Sequence, residues 1–190
     1  LLGQNVNSYG KGLEEPVNFA ELLRRIDAIP GDYRIRFMTS HPKDASRELF
    51  DVMAHSQHIP HYIHLPFQSG NDRVLKEMNR RYTRQQYLDL VNYAKSVMPG
   101  LVLTSDVIIG FPGETEEEFQ QTLTFLHRCA FAAMHIFPYS KRPDTPAAKM
   151  PGQVLNAVKE ERARQAAAVA EALHRNYLAA CVGAVYPVLF

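Results

Sequence analysis

Two periods alternate along this chain. Val102 to Ile109 (VLTSDVII) is an apolar, β-branched run, the pattern of a strand buried on both faces, interrupted by Asp106. A turn follows, Gly110-Phe-Pro-Gly113, and then Glu114-Thr-Glu-Glu-Glu-Phe119 opens a helix whose first turn is acidic, with Phe119, Leu123 and Leu126 on its inner face. The same switch from strand to polar loop to helix recurs on both sides of this unit.

Leu1 to Gly10 (LLGQNVNSYG) reads as a strand end and a polar loop. Phe19 to Ile29 has the helical stripe Leu22, Leu23, Ile26 and stops at Pro30-Gly31. Arg34 to Met38 alternates like a strand and runs into Thr39-Ser-His-Pro42, and Lys43 to Ser56 reads as a helix with Leu49, Val52 and Met53 inward. His61 to Phe67 is the next strand, and Gln68-Ser-Gly-Asn71 follows it. Asp72 to Met78 is helical, and Thr83 caps a longer helix to Met98. Beyond the central unit come a strand at Ala133 to Phe137, a proline-rich loop to Pro146, and a long helix from Gln153 to Ala180. Val154, Val158, Val169, Leu173 and Tyr177 are the positions that would dock that helix, while Lys159 to Arg164 reads as a solvated face.

Strands and helices in this order predict a parallel α/β sheet with right-handed crossovers. Ligands in such sheets sit at the carboxyl ends of strands, where the polar loops fall. Those loops carry Gln4 and Asn5, Ser40 and His41, Gln68 and Ser69, and Gly110 to Glu114. Neutral hydrogen-bonding groups of this kind hold a polar ligand rather than perform acid–base work. A carboxylate inside an apolar strand must be paired or bonded to a ligand. For Asp106 either a ribose diol or a structural role as a capping carboxylate meets that need. Arg80 and Arg81 can clamp a carboxylate or phosphate, or lie solvated on a turn. The glycines of Gly110 to Gly113 serve a ligand or plain turn geometry equally well.

Composition narrows the classes. The 190 residues are 46% hydrophobic and 22% charged, which fits a water-soluble globular domain, with no apolar run of membrane-spanning length. A net charge of +1 gives no basic footprint for nucleic acid. Cys129 and Cys181 stand far apart, so no complete metal site is expected and a reducing, cytoplasmic setting is. His55, His58, His61 and His64 recur at every third position, but three residues along a strand reverse the face, so His61 and His64 cannot simply share a metal. Cys129 near a helix end reads as buried.

Several blocks taken together resemble one family. HLPFQSGNDRVLKEMNRRYT (64–83), SDVIIGFPGETEEEF (105–119) and YSKRPDTPAA (139–148), supported by GQNVNSYG (3–10) and RFMTSHPKD (36–44), are similar to the tRNA methylthiotransferase branch of the radical S-adenosylmethionine (radical SAM) enzymes. The resemblance implies the later strands of a partial (β/α)6 TIM-like barrel over residues 1–150, a helix packed on it over 151–182, and the entry to a small RNA-binding TRAM β domain over 183–190. It also implies reductive cleavage of S-adenosylmethionine at a 4Fe–4S cluster, a second 4Fe–4S cluster, and methylthiolation at C2 of N6-isopentenyladenosine 37 in tRNA. An electron donor such as flavodoxin or ferredoxin and a monomeric state belong to the same expectation. By position, Gln68 and Asp106 would bind the ribose of S-adenosylmethionine, and Arg80 its methionine carboxylate. Gly110, Phe111, Pro112 and Gly113 would pass beside the adenine, and Gln4 and Ser40 would line the methionine end.

The chain departs from the family in lacking the cluster cysteines, which are expected upstream of Leu1; both ends look cut, and the piece alone is expected to be inactive. Asp144 stands where the family has Gly. SHPKD and HLPFQSGN resemble enzymes of isopentenyladenosine, whereas FPYSKRPDTPAAKMPGQV resembles those of threonylcarbamoyladenosine, an alternative substrate. Two further alternatives are a non-catalytic RNA-binding or scaffold module and a metabolic enzyme that holds phosphate on Gly110 to Gly113.

Overall fold

The computed structural model describes residues 1–38 and 40–185. Three parallel strands, β1 (Tyr62–His64), β2 (Val102–Ile109) and β3 (Ala133–Pro138), form a sheet in the order β1-β2-β3. The register pairs His64 with Thr104 and Asp106 with His135. Among the described residues seven α-helices accompany them: α1 (Phe19–Asp27), α2 (Arg47–His55), α3 (Asp72–Glu77), α4 (Arg84–Val97), α5 (Glu116–Cys129), α6 (Pro146–Lys149) and α7 (Asn156–Cys181). Each connection between neighbouring strands passes through helices, as parallel pairing requires.

Capping chemistry sets the helix starts. Thr83 and Thr115 each form a capping box, with Gln86 and Glu118 returning to the cap amide. The fifth helix therefore opens at Glu116, two residues after the expected start, and leaves Glu114 in the turn. Ser46 Oγ accepts from Leu49 N and caps α2, so the expected helix from Lys43 is instead a 3-10 turn (Pro42–Asp44) followed by α2.

Two expected strands are shorter or absent, and proline explains the absent one. Ile35 donates its amide to His58 O (2.9 Å), and the next rung of a parallel ladder would need an amide from residue 60, which is Pro60. Arg34 to Met38 therefore lies extended, with Ile35 and Phe37 buried, without joining the sheet. The first strand ends at His64: Leu65 N still donates to Thr104 O, but the next amide on that edge, Phe67 N, goes to Ser105 Oγ, and Gln68 N takes Asp106 O in its place. Leu1 and Leu2 also lie outside any strand.

The core sits between the sheet and its helices. Leu103, Ser105, Val107 and Ile109 of β2 are fully covered, while Thr104, Asp106 and Ile108 are partly exposed on the opposite face. The expectation of burial on both faces is thus corrected: in this chain helices cover one face. Phe67, Tyr87, Phe125 and Phe131 form an aromatic cluster under the end of β1, with ring centroids 5.5–6.4 Å apart. Tyr82 and Tyr87 hydroxyls donate to Phe67 O (2.9 Å) and Leu65 O (2.7 Å), and Ser105 Oγ accepts from Phe67 N (3.0 Å). Hydroxyls thus satisfy the backbone groups where the regular ladder stops.

The long helix docks partly on the expected stripe: Leu173 is buried and Val169 packs on the core. Val158 is 37% exposed, while Arg162, Ala166 and Leu173 are the buried positions. The predicted solvated face from Lys159 to Arg164 is corrected too, because Arg162 is buried. The expected β domain at 183–190 rests mainly on residues 186–190, which lie outside the described residues.

Candidate functional site

Three groups of residues lie on the loops where the sequence places a ligand. On the first loop, Asn7 brackets His41 with both ends of its amide: His41 N donates to Oδ1 (2.9 Å) and Nδ2 donates to His41 O (3.1 Å). Ser40 beside it is 4% exposed, and its Oγ has no hydrogen-bond partner among the described residues. An orphaned buried hydroxyl costs about 1–3 kcal/mol unless something bonds it. The Arg80 guanidinium lies 2.9 Å from His41 Nε2. Burial first, and Arg80 second, push the His41 imidazole below its usual range. Arg80 has no carboxylate among its hydrogen-bond partners in the described residues. Gln4 is exposed and lies apart from this group in burial.

Gln68 forms the second group. It is 8% exposed and held at φ 70°, with its backbone bridged to β2 through Gln68 N to Asp106 O and Ile108 N to Gln68 O (both 3.0 Å). Left-handed backbone at a non-glycine residue persists where surrounding bonds over-determine it. Ser69 and Gly70 continue the loop against α5, where Gly70 N donates to Thr122 Oγ1 (3.1 Å). A Cβ on Gly70 would stand 2.7 Å from Thr122 Cα and 2.8 Å from Phe125 Cβ. Gly70→Ala should therefore lower stability by about 1–3 kcal/mol through overpacking, read as a shifted urea midpoint at unchanged slope. A midpoint equal to that of the unaltered protein would show that α5 moves aside freely.

The third group is the turn after β2. Gly110 adopts φ 71°, and its amide donates to Glu114 Oε2 (2.7 Å). Gly113, at φ 76°, donates to Gly152 O (2.8 Å). Both glycine amides are thus committed inside the protein, and a carboxylate lies beneath the turn. Such a turn repels phosphate, so the phosphate-binding alternative loses its basis. Phe111 and Pro112 are buried, with Phe111 edge-on to Tyr139 at 5.4 Å. Glu114 is 1% exposed at the side chain and receives Arg162 Nη1 at 3.1 Å, while Arg162 Nε reaches Glu116 at 3.1 Å. Burial outweighs the Gly110 amide and Arg162 and holds the Glu114 carboxyl above its ordinary range. Asp144 takes φ 64°, the left-handed conformation that glycine adopts without strain and aspartate with little.

Asp106 does not stand alone in its strand. His64 Nε2 lies 3.2 Å from Oδ2, and His135 Nδ1 lies 3.0 Å from Oδ1. The carboxylate thus faces two imidazoles, and its side chain is 22% exposed on the uncovered face. Sequence reading missed His135 and Arg162, and it named Glu114 only as part of the loop, without its buried partner. The docking stripe of α7 passes through positions 162, 166, 169 and 173, so the Arg162 signal was present but masked by its charge. No signal pointed to His135, because its neighbour is set by strand register.

Cys129 is buried as expected, and burial pushes its thiol up to about 12. Cys181 lies at the end of α7. Iron–sulfur ligation needs several thiolates together, and these two cysteines do not fit that demand. His58 turns to Asp27 at 2.8 Å rather than to the other histidines. No helix among the described residues is long and apolar enough to cross a membrane.

The chain matches the profile of the radical SAM superfamily over residues 4–126. It is 53% identical over 162 residues to the tRNA-2-methylthio-N(6)-dimethylallyladenosine synthase of Alkaliphilus oremlandii, covering 85% of this chain and 34% of that protein. The proteins of the same name from Desulfitobacterium hafniense and Acetivibrio thermocellus are 50% and 52% identical, with 87% and 85% of this chain and 37% and 34% of theirs covered. The chain thus spans about a third of the length of these relatives (34–37%). Among solved structures, coproporphyrinogen III oxidase from Escherichia coli superposes with a TM-score of 0.60 at 18% identity, over 70% of this chain and 31% of that one. A radical S-adenosylmethionine methyltransferase from Kitasatospora setae superposes with a TM-score of 0.52 at 17% identity, over 68% and 26%. At these identities the structures speak to the fold, a partial TIM-like α/β barrel.

Proposed function

This chain belongs to the radical SAM superfamily, and from that premise we propose that it is the S-adenosylmethionine-binding part of a tRNA methylthiotransferase acting on N6-isopentenyladenosine (dimethylallyladenosine) at position 37. The observation that carries the substrate is the relatives' shared name at 50–53% identity, which favours this branch over the threonylcarbamoyladenosine one. Soluble, cytoplasmic action as a monomer with a flavodoxin- or ferredoxin-type electron donor is part of the same reading, as is a following TRAM-type domain.

The residues present fit S-adenosylmethionine. Ser40 offers a buried hydroxyl without a partner, and Arg80 a guanidinium held by no acid, both suited to the methionine end. Asp106 and the rigid Gln68 would hold the ribose from adjacent strand ends, and Gly110 to Gly113 would border the adenine. Bound there, S-adenosylmethionine supplies methyl-group and one-electron chemistry. These side chains bind and orient it. In this reading the ligands of both 4Fe–4S clusters come from outside residues 1–190.

Arg80→Ala in the full-length protein should weaken S-adenosylhomocysteine binding about tenfold by calorimetry, the size of one lost charged hydrogen bond. Unchanged affinity would remove Arg80 from the site. The function itself is tested by mass spectrometry of tRNA nucleosides from a strain deleted for the gene. The expected result is loss of 2-methylthio-N6-isopentenyladenosine with accumulation of its unthiolated precursor, restored by the full-length gene. Loss of the threonylcarbamoyl counterpart instead would move the protein to the other branch, and an unchanged profile would sink the proposal.

A further inference from the structure

We propose that His135 is a ribose-binding residue, set by Asp106 so that its Nε2 presents a hydrogen-bond acceptor to a hydroxyl of the bound nucleoside, with His64 as the positioning residue on the other carboxylate oxygen. This rests on the S-adenosylmethionine reading above and deepens it.

The argument follows the polarity of one hydrogen-bond chain across three strands. Tyr62 OH lies 3.2 Å from Thr104 Oγ1, which lies 2.9 Å from His64 Nδ1. His64 Nε2 is 3.2 Å from Asp106 Oδ2, and Asp106 Oδ1 is 3.0 Å from His135 Nδ1. An ionised carboxylate only accepts, so both nitrogens facing it carry the protons. In a neutral His64 the proton on Nε2 leaves Nδ1 as an acceptor. Thr104 must then donate to it, and Tyr62 must donate to Thr104. In a neutral His135 the proton on Nδ1 leaves Nε2 as a lone pair, and no described side chain bonds it. Every polar atom of the chain thus has a direction, and the chain ends on a single acceptor.

That acceptor lies where a ligand would come. His135 is paired in register with Asp106, and its side chain is 71% exposed on the sheet face that no helix of this chain covers. Asp106 and His64 are far less exposed, at 22% and 12%. The less exposed members therefore fix the tautomer and the ring plane of the exposed one, as a second group orients an imidazole in metal and catalytic sites. A single lone pair selects a donor, and a ribose hydroxyl is a donor with its own lone pairs free for Gln68 or solvent. The ring of Phe137, 6.3 Å from His135 on the same face, adds an apolar wall suited to a sugar or base edge.

The test is a cycle between the side chain and the hydroxyl, made on the full-length, cluster-loaded protein. Binding of S-adenosylhomocysteine and its 2′-deoxy and 3′-deoxy analogues is measured by calorimetry. The unaltered protein should lose about tenfold in affinity for one of the two deoxy analogues. His135→Phe should bind the intact ligand about tenfold more weakly and no longer discriminate that analogue. His135→Gln, whose amide oxygen reaches close to the Nε2 position, should restore part of the discrimination, and His64→Leu should reduce it without abolishing binding. Because His135 is exposed, its variants are expected to fold. Full discrimination retained by His135→Phe would overturn the inference while leaving the cofactor reading intact. Failure of the unaltered protein to bind S-adenosylhomocysteine would overturn both.

Discussion

Replacing Arg162 by Ala is expected to cost about 3–5 kcal/mol of stability, because it leaves the buried Glu114 charge without its counter-ion. Arg162 is 7% exposed at the side chain, bonds Glu114 through both its carboxylate and its carbonyl (each 3.1 Å), and packs 5.4 Å over the Phe119 ring. It therefore ties α7 to the turn after β2 through one residue. Glu114 Oε1 already lacks a partner among the described residues, so loss of the guanidinium leaves Gly110 N–H as the remaining partner of this carboxylate. The sign of the pH dependence follows from the direction of the shift. Burial raises the folded-state Glu114 pKa above the ordinary value of 4.5, so its contribution to stability is favourable while protonated and is lost as pH rises through the raised value. Arg162 pulls that pKa down, and its removal raises it further. The deficit of Arg162→Ala should accordingly be largest near neutral pH and shrink as pH falls toward the ordinary glutamate value. Glu114→Gln, which keeps the size and removes the charge, should be far milder, and adding it to Arg162→Ala should recover part of the loss. Urea midpoints across pH measure all of this. A pH-independent deficit in Arg162→Ala would mean that lost packing on Phe119, not the stranded carboxylate, is responsible.

Truncating Phe67 to Ala should cost a similar amount, about 3–5 kcal/mol, for a different reason. The ring is fully buried among Phe125, Phe131 and Tyr87, at 5.5, 5.5 and 5.8 Å. The backbone on either side is pinned by Ser105 Oγ and the Tyr82 hydroxyl, so the chain cannot sink into the space left behind. A cavity that cannot collapse carries its full cost. The effect also reaches the rim. Gln68 follows directly, and its left-handed backbone depends on the same bonds to β2. Phe67→Ala should thus weaken S-adenosylhomocysteine binding in the full-length protein as well as lower the urea midpoint, whereas Phe67→Leu should return most of both. A variant as stable as the unaltered protein would show that the neighbouring rings refill the space.

Much of this was written in the sequence, and the reasons are local. Thr83 announces its helix because a side-chain hydroxyl three residues before a Gln satisfies free amides on the spot. The apolar run at Val102 to Ile109 gives the central strand, and the glycines after it give a turn, since each signal is read within a few residues. The blocks around Gln68, Asp106 and Gly110 carried the family, which the match over residues 4–126 bears out. Local reading failed where distant chain decides. Arg34 to Met38 alternates as a strand should, yet the amide its ladder needs falls on Pro60, a residue far along the chain. Lys159 to Arg164 is polar enough for solvent, yet Arg162 is buried because Glu114 awaits it from another loop.

By itself, then, the sequence determined most of the order of elements, the turns that follow them, and the family, because propensity and turn chemistry act within one or two turns of chain. The tertiary structure alone decided which face of the sheet stayed uncovered, that Glu114 is the buried partner of Arg162, and that Asp106 is held between His64 and His135. Those are matters of register and packing. A carboxylate and an imidazole 29 residues apart become neighbours only once a parallel ladder has aligned their strands.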